Sequence, residues 1–152
     1  QELQAAHQEV VASLGDVSEV ELHTAPAEGE WTASEVAAHV IEMQAMWLEK
    51  ISNVKQEPDL ARSHHEVDRR TAEVDFHSCD DIETILQRLN ESNDTTTCIL
   101  KGMSTANLDV LCTYGTTRTS GMAKDAVRSL VITHLSEHAE QITATRKETR
   151  GG

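Results

Sequence analysis

No proline follows Pro58, and only Pro26 precedes it. A proline inside a helix deletes a backbone hydrogen bond and clashes with the preceding turn, so this scarcity leaves long stretches free to be helical. The other residue types agree. With seven glycines and aromatics at 3%, the chain is poor in turn formers and in strand-favouring side chains. The expected class is all-α. At 152 residues the chain makes one ordinary domain with a proper core, spanning 1–152, and has no length for a second.

Four helices are predicted. The first runs from about Glu2 to Leu14, with Leu3, His7, Val10 and Leu14 on one face, and stops near Gly15. The second has the clearest start signal, because WTASEV places Thr32 at the N-cap and Glu35 three residues on as a capping box. Trp31 and Val36 flank that cap as a hydrophobic staple, and the helix continues to about Asn53. From Val54 to Cys79 the chain is polar and charged, with RSHHEVDRR at its centre. It reads as a connection, longer than most helix-to-helix loops, that allows a crossover. The third helix covers about Asp80 to Met103, with Ile82, Ile85, Leu86, Leu89, Leu100 and Met103 inward. Asn93, Thr96 and Thr97 share its stripe and are expected to line a polar cavity. After the loop TYGTTRTSG the fourth helix runs from about Gly121 to Lys147. The sum is a four-helix bundle with a long connection between helices two and three.

Charge and cysteines narrow the partners. Thirteen Lys and Arg against 26 Asp and Glu leave a formal net charge of −13, which repels a phosphate backbone. Neither nucleic acid nor an anionic membrane is an expected partner, and a small molecule is. Cys79, Cys98 and Cys112 show no C-x-x-C spacing, which argues against a disulfide framework or a thiolate zinc site and for a reducing, cytoplasmic setting. No apolar run approaches the roughly 20 residues of a membrane span. The opening QELQAAHQEV lacks the regions of a signal peptide, while a first residue that is Gln rather than Met leaves room for a leader removed upstream.

The unusual feature is HLSEH, which puts two histidines one turn apart in the apolar stripe of the fourth helix. At about 100° per residue, Val127, Leu130, Val131, His134, His138, Gln141 and Ile142 share one sector, with the histidines near its centre and pointing into the bundle. Two imidazoles at i and i+4 have Cβ atoms roughly 5–6 Å apart, close enough to clamp one cation. His39, on the edge of the second helix's stripe beside Glu35, Glu42 and Met46, is the candidate third ligand. Two other readings stand beside the metal. Both histidines can be core residues bonded to Asn93, Thr96 or a carboxylate, although burying adjacent imidazoles is costly. HLSEH also fits the inverted zinc-protease pattern with Glu137 as base, but such enzymes supply a further carboxylate well downstream, and only residues 139–152 follow here. His64, His65 and His77 lie in the polar connection and read as solvated, His23 as loop, and His7 as a satisfied core histidine.

EWTASEVAAHVIEM together with HLSEHAEQI resembles the DinB/YfiT-like family of four-helix-bundle metalloenzymes. That family opens its second helix with W-[ST]-x-x-E-x-x-x-H, matched by Trp31, Thr32, Glu35 and His39. Its fourth helix carries H-x-x-x-H-x-x-Q-I, matched by His134, His138, Gln141 and Ile142. The resemblance covers nearly the whole chain. It implies a divalent metal on His39, His134 and His138, most readily zinc or nickel with iron as a further option, and a homodimer. It also implies a thiol-dependent S-transferase that uses bacillithiol, mycothiol or glutathione as co-substrate in detoxification or stress response. Glu35, Glu42 and Gln141 are then supporting or pocket residues, with Asn93, Thr96 and Thr97 facing an electrophile. No basic cluster stands out in the inward stripes to hold a thiol's carboxylates, Arg118 and Arg128 being the only candidates. The alternative is a non-catalytic bundle that binds a metal or small ligand, and a metal-free structural bundle is a third. An open coordination position distinguishes the first from the second, since a fourth ligand such as Glu42 or a linker histidine would close the shell.

Overall fold

The helix start that the sequence signals most clearly carries its side-chain cap. In the computed structural model, which describes residues 1–151, Thr32 Oγ1 accepts from the Glu35 amide at 3.2 Å while Glu35 accepts from the Thr32 amide at 2.7 Å. This reciprocal pair starts a helix over Ala33–Ser52. In chain order the elements are α1 (Glu2–Ser13), α2 (Glu19–Leu22), α3 (Ala33–Ser52), β1 (Asp59–Leu60), α4 (His64–His77), α5 (Ile82–Gly102) and α6 (Thr105–Leu108). They continue with β2 (Leu111–Tyr114), β3 (Thr119–Met122), α7 (Ala123–Val127), a π-helical segment (Arg128–Thr133) and α8 (His134–Gly151). α1, α3, α5 and the continuous rod α7–π–α8 form the four-helix bundle.

The stretch 54–79, expected as a loop, holds the helix α4. It starts on a second capping box, in which Ser63 accepts from the Glu66 amide and Glu66 from the Ser63 amide. Hydrophobic periodicity misses it because Val74 is its one buried residue. Ionic contact holds it to the bundle instead, through Lys50 and Glu66 at 2.9 Å.

TYGTTRTSG, also expected as a loop, folds into the β2–β3 hairpin, with Gly115 and Arg118 at positive φ in the turn. β1 adds in parallel alongside β2, pairing Leu60 with Tyr114. Cys112 and Tyr114 point inward from β2, an alternation too short to outweigh the surrounding glycine and threonine. The strands form a small cap over one end of a helical molecule.

Two apolar clusters make up the core. One joins Val10 and Leu14 with Val36, Val40, Leu89, Leu135 and Ile142. The other joins Met43, Trp47 and Ile51 with Leu60, Tyr114, Val127, Leu130 and Val131. They divide between Val40 and Met43 on α3 and between Val131 and Leu135 on the fourth rod. A polar layer lies at that level. On its α5 side, Ser92 donates to Gln44 at 2.9 Å, Gln44 donates to Thr96 at 3.4 Å, and Asn93 donates to Gln4 at 3.3 Å. Histidines occupy the opposite side. No helix among the described residues is long and apolar enough to cross a membrane.

Candidate functional site

The π-helical segment decides which way the histidines face. Its i→i+5 bonding takes more residues per turn than an α-helix, so the inward positions of the fourth rod recur as Val127, Val131, Leu135 and Ala139, four residues apart. On an unbroken α-helix His134 and His138 would occupy the centre of the apolar stripe, as expected from sequence. In the folded chain Leu135, Ala139 and Ile142 take that place, and both histidines are half-buried at its edge.

His39 meets them from α3, where it is 9% exposed. Its ring lies edge-on to that of His138, with centres 4.8 Å apart, and the His134 and His138 ring centres are 5.7 Å apart. Trp31 closes one side at 5.2 Å from the His39 ring. In each ring Nδ1 is the nitrogen turned toward the protein. His138 Nδ1 donates to Gln141 at 2.9 Å, His134 Nδ1 to the Leu130 carbonyl at 3.3 Å, and His39 Nδ1 lies 3.8 Å from Glu42 with no hydrogen bond. Nε2 is the remaining nitrogen in each ring, the tautomer that a metal or a proton donor would meet.

Burial disfavours the charged form of His39 and His138. The His39 pKa is pushed down to about 3, chiefly by loss of water, with positive charge on His138, Arg62, Arg70 and His134 contributing to the same shift. His138 is lowered too, chiefly by burial and against the pull of its Gln141 bond. Glu42 is raised by burial, although Arg62 donates to it at 3.3 Å and opposes the shift.

A cavity of about 590 Å³ opens from His39 and His134. Met43, Trp47, Leu60 and Leu130 give it apolar wall, the hairpin turn supplies Gly115 and threonine hydroxyls, and Arg62, Arg70 and Arg118 reach in from α4's side and the turn. That basic cluster was not legible in the sequence. RSHHEVDRR reads as a solvated loop until it is seen as a helix, whereupon Glu66, Val67, Arg70 and Val74 fall at helical spacing on its less exposed face. Arg128, the other basic candidate, pairs with Glu2 on the surface.

The structure thus gathers His39, His134, His138, Glu42 and Gln141, and separates the rest. Glu35 is committed to the cap of α3. Asn93 and Thr96 are buried in the polar layer against Gln4 and Gln44, and neither they nor Thr97 line the histidine cavity. His64 and His65 are exposed at the start of α4. His7 is buried and bonds Asn90 at 3.1 Å, His77 bonds Asp80 at 2.7 Å, and His23 contacts Ser34 and the Ser78 carbonyl.

The sequence matches the DinB superfamily over residues 2–142. The chain belongs to this superfamily. Its fold is shared with YfiT from Bacillus subtilis, described as a probable metal-dependent hydrolase with an unusual four-helix bundle topology; the two are 17% identical, with a TM-score of 0.75, over 99% of this chain and 85% of that one. It is also shared with a mycothiol-dependent maleylpyruvate isomerase at 13% identity and a TM-score of 0.66, over 97% of this chain but 57% of the isomerase. No curated protein matches the sequence.

The donor set suits a divalent metal. Imidazoles whose nitrogens sit 2.0–2.1 Å from one ion have ring centres about 5 Å apart, and the two measured spacings bracket that distance. The rings are gathered without having converged. Among the described residues no three His, Cys, Asp or Glu side chains form a ready-made cluster, and His134 Nε2 lies 3.6 Å from Glu137.

Proposed function

We propose that this DinB-superfamily protein is a metal-dependent enzyme in which His39, His134 and His138 hold a divalent ion, with zinc or nickel favoured over iron. The reaction proposed is thiol-dependent group transfer. The observation that carries the reading is the meeting of three imidazoles from two helices, two of which line a cavity of small-molecule size. When bound, such an ion lowers the pKa of a thiol or water placed on it toward neutrality and so supplies a nucleophile. The protein's own contribution is positional. Leu130 and Gln141 hold the Nδ1 protons of His134 and His138, which directs Nε2 outward. Trp31 excludes water from His39, and Glu42 stands behind it with Arg62 compensating the buried carboxylate. Met43, Trp47 and Leu130 give an electrophile an apolar wall. The superfamily match and the two solved neighbours, one described as metal-dependent and one as mycothiol-dependent, support this reading. A cytoplasmic setting and a homodimer belong to the same proposal.

The alternative is a bundle that binds a metal or small ligand without turnover. Hydrolysis, with water as nucleophile, would use the same triad.

The test is metal content and cobalt spectroscopy on purified protein. His39→Ala, His134→Ala and His138→Ala should each abolish stoichiometric metal, and His64→Ala and His65→Ala should leave it intact. In the cobalt protein a low-molecular-weight thiol should produce a sulfur charge-transfer band. Full metal occupancy in the His134→Ala, His138→Ala double variant overturns the site. A cobalt spectrum indifferent to millimolar thiol overturns the transferase assignment and leaves hydrolysis or simple binding, which turnover assays separate.

A further inference from the structure

The cavity's charge is opposite to that of the molecule. The chain has 26 acidic against 13 basic residues, yet the cavity lining contains three arginines and no Asp or Glu. Two of the arginines are already neutralised. Arg62 bonds Glu42 at 3.3 Å, and Arg118 grips Asp59 through two nitrogens at 2.5 and 2.7 Å.

Arg70 differs from both. Its Nε is buried with no hydrogen-bond partner, and among the described residues no carboxylate stands within ion-pair distance of its guanidinium. That guanidinium lies 5.9 Å from the centre of the Trp31 ring, which also lies 5.2 Å from the His39 ring. A buried polar donor without a partner is costly to fold around. The guanidinium fork offers parallel donors matched to the two oxygens of a carboxylate, and one uncompensated positive charge calls for one negative charge.

We propose that Arg70 anchors a carboxylate of the substrate, so that the cavity takes a small carboxylic acid with its reacting end toward His39 and His134. The volume suits this class, because sites for small molecules run from about 300 to 1,000 Å³. One carboxylate group, such as one end of succinate, balances the single free arginine, whereas a phosphate dianion concentrates its charge on a single group and leaves part of it unmatched there. The orientation toward the histidines rests on the metal-site reading above; the anion anchor does not.

The probe is succinate, titrated into the metal-free protein at low salt and followed by calorimetry and by fluorescence of Trp31 and Trp47. Succinate should bind, the uncharged succinamide should not, and inorganic phosphate should bind more weakly. Arg70→Gln should weaken succinate binding by roughly tenfold or more, the expected loss for a charge-assisted hydrogen bond. Arg128→Gln, on the outer surface against Glu2, should leave it unchanged. Arg70→Lys keeps the charge without the fork and should fall between, which carries the comparison if Arg70→Gln fails to fold. Equal succinate affinity in wild type and the Arg70 variants, no binding by the wild type, or tighter binding of phosphate or succinamide overturns the proposal. Metal uptake by Arg70→Gln and succinate binding by His134→Ala separate the two claims. Succinate binding by a wild-type protein that takes up no metal refutes only the triad, and metal uptake in a protein that ignores succinate refutes only the anchor.

Discussion

A histidine that folding makes hard to protonate leaves a signature in stability. The unfolded chain protonates His39 near the ordinary 6.5, the folded one only near about 3. Between those values the unfolded state binds more protons, so lowering the pH through this window destabilises the metal-free protein. Above 6.5 both states are neutral and His39 contributes no slope. Glu42 works in the opposite direction, because its raised folded pKa lets the native state gain a proton first as pH falls. The test is therefore a difference. Chemical denaturation of metal-free protein from pH 7 to pH 4 should show a steeper loss of stability in wild type than in His39→Gln, and identical slopes would refute a buried, neutral His39. At this scale the histidines were legible because imidazoles are conspicuous in an apolar stripe. Arg70 was not, because an arginine in a polar stretch looks solvated until the helix carrying it is placed against α3.

Elements here are set by their first turns and held by unequal amounts of apolar contact. Thr32 and Ser63 both cap helices through capping boxes, and loss of an N-cap costs about 1 kcal/mol. The consequences differ because α3 is buried along its length, whereas α4 buries Val74 alone. Thr32→Ala should lower global stability by about 1 kcal/mol in denaturant melts. Ser63→Ala should act locally, raising amide exchange across residues 64–77 before the rest of the bundle responds. Uniform exchange in both variants would show that α4 unfolds only with the whole molecule. Since α4 brings Arg70 to the cavity, its loosening should also weaken succinate binding. The fourth rod shows where element prediction went astray, for its apolar stripe was visible but a wheel drawn at 100° per residue could not anticipate π-helical turns.

As a whole molecule, the bundle rests on two apolar clusters that include none of the three histidines. Chelated protein should therefore keep its far-ultraviolet helical signal, and added metal should raise Tm with its concentration by binding the native state preferentially. Collapse of helicity on chelation would mean instead that the ion is structural. Much of this architecture follows from local chemistry. The scarcity of proline, the Thr32 capping box and the apolar periodicity of α1, α3 and α5 act within a few residues of chain, which is why four helices and the histidine motifs could be read directly. What joins distant segments could not be read that way. The pairing of β1 with β2, the docking of α4 on α3, and the facing of His134 toward a cavity rather than the core depend on contacts between residues far apart in the chain. The same holds for the placement of Asn93 and Thr96 on the far side of the polar layer. The sequence carries no local period for such contacts, and only packing selects among the arrangements that local preferences allow.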